Sequence, residues 1–180
     1  ELWAWVRPFA GVEVPATATA AVGSDQVDAD SDGLVSTPQE VLDAYVDALN
    51  NPDGDNGKAF ADDLLRQQLA SLRSKDVSAA GEIKVSARSL RSDDNGAIVF
   101  TTLAYDVVYK RTVAKSTLKM LPEVASLLGS GPEITGEVTS TYDVMVAFSI
   151  PPVDSNSQAV VLGRSAVLAS ASKDDSQSPG

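Results

Sequence analysis

An acidic loop near the N terminus, residues 28–34, has oxygen-bearing side chains at a spacing typical of calcium sites. Asp28, Asp30 and Asp32 occupy alternate positions and a glycine follows in sixth place, which is how an EF-hand loop wraps the ion. The twelfth place holds Gln39, a neutral amide where a bidentate carboxylate is normally needed. The three aspartates are therefore a candidate calcium site, and the interpretation we favour is an acidic linker leading into a helix.

Few residues of this chain are candidates for catalysis. It holds neither histidine nor cysteine, so the commonest general base and the thiolate nucleophile are both missing. Ser116 and Lys119 match the Ser-x-x-Lys spacing of serine β-lactamases, but no Lys-Thr-Gly element accompanies them. Asp106 and Asp143 each follow a tyrosine, and neighbours in a strand point to opposite faces, so tyrosines in the core would leave these aspartates in solvent. We predict no catalytic residue, no enzymatic activity and no cofactor other than the candidate calcium ion.

Both tryptophans of the chain lie in its first residues. Trp3 and Trp5, with Phe9, carry more aromatic surface than a tail would leave in water. One interpretation is a terminal strand packed on the core, and the other is a segment that faces a protein partner or a membrane, since tryptophan beside arginine suits an interface. These three residues are the candidate partner-binding site.

Charge and hydropathy exclude two classes of function. With 25 acidic against 14 basic side chains the formal net charge is −11, so nucleic acid and anionic lipid would be repelled. No run of about 18 apolar residues is present that would predict a membrane-spanning helix. The chain begins with Glu1 and not with methionine, from which we expect that a signal peptide or membrane anchor preceded it.

Two amphipathic helices are predicted in the first half of the chain. Thr37 provides an N-cap, a proline follows at the first helical position, and apolar residues then recur at helical spacing over residues 38–50. A loop rich in Asp, Asn and Gly breaks this helix. Apolar residues at the same spacing predict a second helix over residues 58–74.

Alternating apolar and polar residues predict an antiparallel sheet in the second half. An Asp-Asp-Asn-Gly turn at residues 93–96 joins the first two strands as a hairpin, and a short helix begins near Pro122 and stops at Gly129. The predicted strands are residues 83–87, 97–113, 136–150 and 158–171. The fold class is therefore α+β, with N-terminal helices packed on a curved, cone-like antiparallel sheet.

The composition divides the chain into four parts. They are an aromatic N-terminal segment at 1–15, an acidic linker at 16–35, the α+β domain at 36–171 and a disordered polar tail at 172–180.

The order of the predicted elements resembles that of the nuclear transport factor two-like superfamily. The run Pro38-Gln39-Glu40-Val41-Leu42-Asp43-Ala44-Tyr45-Val46-Asp47-Ala48-Leu49-Asn50-Asn51 looks like the opening helix of such domains, and the resemblance covers residues 36–171. It implies a sheet cone closed by N-terminal helices. Bacterial extracytoplasmic members include lipoproteins and assembly domains of conjugative secretion machines, which use the fold to bind proteins. Enzymatic members typically use a histidine, which this chain lacks.

The function expected from this resemblance is a non-catalytic binding or assembly domain. We expect it at the bacterial cell surface or envelope, outside the cytoplasm and held at a membrane by an anchor upstream, with a protein partner and no nucleic acid. One alternative is a small-ligand-binding or isomerase-like cone domain. The other is a calcium-dependent module built on Asp28, Asp30 and Asp32.

Overall fold

The computed structural model describes most of the chain, and for residues 7 and 78–87 it describes the backbone only. The described residues are 7–19, 21–73, 78–111, 113, 115–129, 131 and 133–176.

Helices and strands follow the predicted order. The helices are α1 (Pro38–Asn50), a 3-10 helix (Asp55–Ala59), α2 (Leu64–Arg73) and α3 (Pro122–Leu127). The strands are β1 (Arg7–Pro8), β2 (Gln26–Val27), β3 (Ser78–Arg91), β4 (Ala97–Tyr109), β5 (Leu118–Lys119), β6 (Glu133–Ile134), β7 (Glu137–Ile150) and β8 (Val160–Asp174). The α+β class, with N-terminal helices packed on an antiparallel sheet, is confirmed.

Helix α1 begins where the sequence predicts because its first turn is capped from both sides. The Thr37 hydroxyl accepts the Glu40 N–H at 3.2 Å, and the Glu40 carboxylate accepts the Thr37 N–H at 2.9 Å. This capping box satisfies two backbone donors that the first helical turn leaves unpaired. The apolar stripe of α1 is buried, with Tyr45 fully excluded from solvent.

The second predicted helix is shorter than residues 58–74. The backbone at Phe60 is extended, and the Ala61 N–H donates to the Ala159 carbonyl at 3.1 Å while the Ala159 N–H donates to the Ala59 carbonyl at 3.2 Å. These bonds to a residue about a hundred positions later separate a 3-10 turn from α2. Helical spacing alone could not reveal this break, because its cause is a distant segment.

One antiparallel sheet forms the body of the described structure. Its strand order is β1-β8-β7-β4-β3-β2, and β5 pairs with β6 apart from it. Strands β4 and β7 pair without a break from Ala97 opposite Ile150 to Tyr109 opposite Val138. The predicted hairpin turn is confirmed, and Asn95 in it has a positive φ of 65°.

The two faces of this sheet are covered unequally. The inner face packs against α1 and α2 at one end and against α3 and the β5–β6 pair at the other. On the outer face a small cluster is covered from the N-terminal segment by Val12, and its members are Ile98, Phe100, Ala147 and Leu162. Alternation in β7 predicted the inner face correctly: Val144, Val146, Phe148 and Ile150 are all fully buried.

The predicted linker and the predicted tail both contain sheet residues. Within the predicted linker at 16–35, β2 pairs with the end of β3, and Val27 and Leu34 are buried in the core. This segment is acidic and small overall, so its two core residues carried no periodic signal. Strand β8 extends to Asp174 through pairing with β7, so residues 172–174 belong to the sheet and not to the predicted disordered tail.

Candidate functional site

Three tyrosines mark the inner face of the sheet between α2 and α3. Tyr105 and Tyr142 are directly opposite each other in the β4–β7 pair, and their rings stack with centroids 5.2 Å apart and planes 19° apart. Tyr109 packs beside them on the same face. Burial raises the pKa of all three phenols, because it disfavours the phenolate. Burial therefore favours the protonated phenol at each of these positions.

A single arginine of β8 faces this tyrosine cluster. Arg164 lies opposite Val146 and so shares the inner face. Its guanidinium donates to the side-chain oxygen of Gln68 on α2 and is hydrogen-bonded to Tyr105, whose pKa it lowers against the larger effect of burial. A stacked aromatic pair beside a cation can hold a planar or anionic group.

The carboxylates that follow the tyrosines point away from them. Asp106 is exposed on the outer face and accepts a hydrogen bond of 2.6 Å from the Thr141 hydroxyl across the β4–β7 pair. Asp143 lies on the same outer face and is half-buried. The predicted separation of tyrosines from aspartates is confirmed, so neither carboxylate reaches the tyrosine cluster as a general base.

The Ser-x-x-Lys pair is not arranged for nucleophilic catalysis. Ser116 is half-buried and its hydroxyl donates to the Val113 carbonyl at 2.6 Å. Lys119 belongs to the short strand β5 and not to a helix that also carries the serine. The one-turn helical geometry that lets such a lysine activate a serine is therefore missing.

A buried carboxylate that the sequence did not indicate lies between α1 and α2. Asp63, whose side chain is 1% exposed, accepts the Tyr45 hydroxyl at 3.0 Å, the backbone N–H groups of Leu65 and Arg66 at 2.9 and 3.0 Å, and the Arg66 Nε at 2.6 Å. Arg66 also donates to the carbonyls of Gly57 and Ala61. Because these partners occupy both carboxylate oxygens, Asp63 caps α2 and fixes it to α1. An aspartate just before an apolar helical run was the available signal.

The acidic loop of the candidate calcium site lies between β2 and α1. Asp28, Asp30 and Asp32 are all exposed, and the Gln39 N–H donates to the Ala29 carbonyl at 3.0 Å, which ties the loop to the start of α1. Among the described residues, no three carboxylates are grouped closely enough to hold a metal ion. Calcium binding by this loop stays a prediction to be tested.

Of the candidate partner-binding aromatics, the structure places one. Phe9 is half-buried against the main core, and its N–H donates to the Leu162 carbonyl at 2.9 Å. Trp3 and Trp5 lie outside the described residues. The described part of the N-terminal segment is thus hydrogen-bonded to β8 at Phe9.

A shallow groove opens between the first half of α1, the 3-10 helix and the loop before β8. It has a volume of about 260 Å³. Its walls are mostly apolar, with Val41, Ala44 and Phe60 among them, and Glu40 and Gln158 supply polar groups. Glu40 is engaged in the capping box of α1, so the groove offers mainly apolar contact.

Beyond the cluster that Val12 covers, the outer face of the sheet carries apolar residues among polar ones. Ala104, Val108, Met145 and Val167 lie there on three adjacent strands, and we call these four residues the outer patch. The described apolar cluster on this face consists of Ile98, Phe100, Ala147 and Leu162. No described cluster includes the outer patch. The sequence signal was present in β7, where Met145 interrupts the otherwise polar face of Thr139, Thr141 and Asp143.

Comparison with known proteins identifies no relative: no family model, no curated protein and no solved structure matches the chain. Among the described residues, no helix has the length and apolar character needed to cross a membrane. The geometry of the described surfaces is therefore the basis for a function.

Proposed function

We propose that the chain is a non-catalytic binding or assembly domain that works outside the cytoplasm of a bacterium. It binds a protein partner through the outer patch, as a component of secretion or conjugation machinery held at the membrane by an upstream anchor. The observation that carries this proposal is the outer patch itself. Val167 is exposed, Val108 and Met145 are half-buried and Ala104 is buried, on a sheet face that the described helices do not cover, and exposed apolar residues on such a face can mark a site of protein association.

The charges around the outer patch favour one kind of partner. Asp106 and Asp143 lie on the same face, and the chain as a whole has a net charge of −11. Asp143 lies between Ala104 and Val167, and Asp106 lies between Ala104 and Val108, so a partner that presents apolar side chains interspersed with Lys or Arg would match this surface. Acidic partners and nucleic acid would be repelled.

Two further points support a binding role. The order of the elements resembles that of the nuclear transport factor two-like superfamily, and extracytoplasmic members of that superfamily use the fold as a protein-binding scaffold. The described carboxylates that follow tyrosines stand on the opposite face from those tyrosines, and Asp63 is saturated with hydrogen bonds. Both arrangements suit a scaffold better than an acid–base catalyst.

Site-specific photo-cross-linking in the native host tests the proposal. A photoreactive residue at Val167, which is 61% exposed, should give one defined adduct on irradiation, and the same residue at Val153, 64% exposed in the loop before β8, is the matched control. Adding Met145→Lys to the Val167 probe should abolish the adduct, because it replaces an apolar side chain of the outer patch by a cation. Equal adducts at both positions, or adducts at Val153 alone, would refute the outer patch as the binding surface.

The tyrosine cluster supports a second candidate function, the binding of a small aromatic acid. The observation that favours it is the stacked Tyr105–Tyr142 pair beside Arg164. Millimolar benzoate should then raise the melting temperature of the wild type and leave that of Arg164→Gln unchanged. Equal shifts in both proteins would show that the acid binds elsewhere.

A further inference from the structure

Residues 10–16 cross the outer face of the sheet, and we call them the strap. Before the strap, the Phe9 N–H donates to a carbonyl of β8 at 2.9 Å. At its other end the Ala16 carbonyl accepts the Asp93 N–H of the β3–β4 hairpin at 2.9 Å. Between these attachments Val12 packs on the apolar cluster of this face. We call this cluster the outer cluster, and its members are Ile98, Phe100, Ala147 and Leu162.

A type II turn directs Val12 onto the outer face. The Val12 N–H donates to the Phe9 carbonyl at 3.2 Å, and Gly11, the third residue of the turn, has the positive φ of 81° that a type II turn needs there. The Phe9 side chain, before the turn, packs against the main core, whereas the Val12 side chain, after it, packs against the outer cluster. The turn therefore takes the chain from the edge of the sheet onto its outer face.

Few contacts hold the strap to the sheet. Val12 is its one residue that packs on the outer cluster. Glu13 lines a hollow of about 400 Å³ together with Asp93 and Asp94, so three carboxylates of like charge surround the place where the strap meets the hairpin. A segment with few buried apolar contacts opens locally at a small part of the free energy of global unfolding. Five of the seven strap residues are exposed, namely Ala10, Gly11, Glu13, Val14 and Ala16.

The outer cluster beneath the strap continues directly into the outer patch. Ala147 of the cluster and Met145 of the patch are alternate residues of β7 and share the outer face. On β4, Thr102 alone separates Phe100 of the cluster from Ala104 of the patch on that face. All members of the outer cluster are buried while Val12 lies over them. Lifting the strap would therefore extend the apolar surface of the patch along two strands.

We propose that the strap is an autoinhibitory cover, which the protein partner displaces by packing an apolar side chain of its own where Val12 lies. This inference rests on the proposed function and extends its binding surface from the outer patch to the outer cluster. The strap is anchored on both sides, by Phe9 at β8 and by the pairing of β2 with β3, so it lifts without leaving the sheet. The apparent affinity for the partner is then the affinity of the open form reduced by the fraction of molecules that are open.

Amide hydrogen exchange measures the opening of the strap without a partner. The Asp93 amide, whose acceptor lies in the strap, should exchange at least a hundredfold faster than the amides of the central strand β7. Val12→Asn should accelerate exchange at Asp93 at least a further tenfold, because it removes the apolar contact that holds the strap. Val14→Asn is the matched control and should leave the rate unchanged, since Val14 is 41% exposed and belongs to no described apolar cluster. Exchange at Asp93 as slow as in β7, or equal rates in the two variants, would overturn the proposal.

Competitive photo-cross-linking tests whether the strap and the partner exclude each other. Two chains with the photoreactive residue at Val167 and different tags, one of them also carrying Val12→Asn, are overproduced at equal levels in the native host. The Val12→Asn chain should take at least threefold more of the adduct, because its surface is open more often, whereas a Val14→Asn chain should share the adduct equally with the unaltered one.

The outcomes separate this inference from the proposed function. Equal shares for Val12→Asn would refute the strap as a competitor and leave the outer patch as the binding surface. A smaller share would make Val12 a part of the binding surface and would also overturn the proposal. No adduct from any of these chains would refute the proposed function and this inference with it.

Discussion

Asp63 should be the most costly carboxylate to remove, because its two oxygens make three kinds of interaction, an N-cap, a hydrogen bond to Tyr45 and an ion pair with Arg66. Asp63→Ala removes the N-cap of α2, for which about 0.5–2 kcal/mol is typical. It leaves the buried Tyr45 hydroxyl without its acceptor, at about 1–3 kcal/mol. It also removes the carboxylate of a largely buried ion pair with Arg66, whose side chain is 19% exposed. Since these effects overlap, we expect a total loss of about 3–5 kcal/mol, in the range measured when one partner of a buried pair is deleted.

A double-mutant cycle separates the contribution of the tyrosine hydroxyl. Tyr45→Phe alone should cost about 0.5–1.5 kcal/mol, since Asp63 keeps its bonds to Arg66 and to the α2 backbone. In the Tyr45→Phe background, Asp63→Ala should cost about 1–3 kcal/mol less than in the wild type, because no buried hydroxyl is then left unpaired.

Urea unfolding followed by circular dichroism measures these free energies, with equal m-values as the check that the unfolded state is unchanged. Asp62→Ala is the matched control, since Asp62 is the exposed neighbour of Asp63 and its removal should cost less than about 0.5 kcal/mol. Equal costs for Asp62→Ala and Asp63→Ala, or an additive cycle, would refute the capping network as the link between α1 and α2.

Other regions of the molecule give four further predictions. Ser140→Ala should raise the free energy of unfolding by up to about 1 kcal/mol in urea, because its hydroxyl is buried and has no hydrogen-bond partner among the described residues; a loss of that size would show a missed partner. Val146→Asp should unfold the domain, because it buries a charge in the core, whereas Met145→Asp on the outer face should leave the circular dichroism spectrum unchanged. The same spectrum for both variants would show that the register of β7 is wrong. Calorimetry should show weak or absent calcium binding, and micromolar affinity lost in Asp30→Ala would establish the calcium-dependent alternative. Burial raises the pKa of Tyr45 well above its ordinary 10.0, so the contribution of Tyr45 to stability is full below about pH 10 and falls as the pH rises toward the folded-state pKa. The free energy of unfolding should therefore decrease less steeply with alkaline pH in Tyr45→Phe than in the wild type. The same pH dependence in both proteins would contradict the raised pKa.

Local interactions made several elements predictable from the sequence. Helix α1 begins at Pro38 because Thr37 and Glu40 form a capping box within four residues, and α3 ends near Gly129, whose φ is +62°. The inner face of β7 follows from strict alternation, because one buried face allows one register only. The opposite directions of the tyrosines and the aspartates that follow them were predictable for the same reason.

Tertiary structure alone decided what depends on distant partners. Gln26–Val27 becomes a strand because the end of β3 offers it a pairing edge, and Phe60 is extended because it bridges to Ala159. Asp63 links the two helices only when α1 brings the Tyr45 hydroxyl to it. The outer patch likewise forms because three strands align Ala104, Met145 and Val167 on one face, which no single segment reveals. Backbone pairing and burial between segments far apart in sequence leave little local pattern, so a sequence records the elements more clearly than the surfaces they build together.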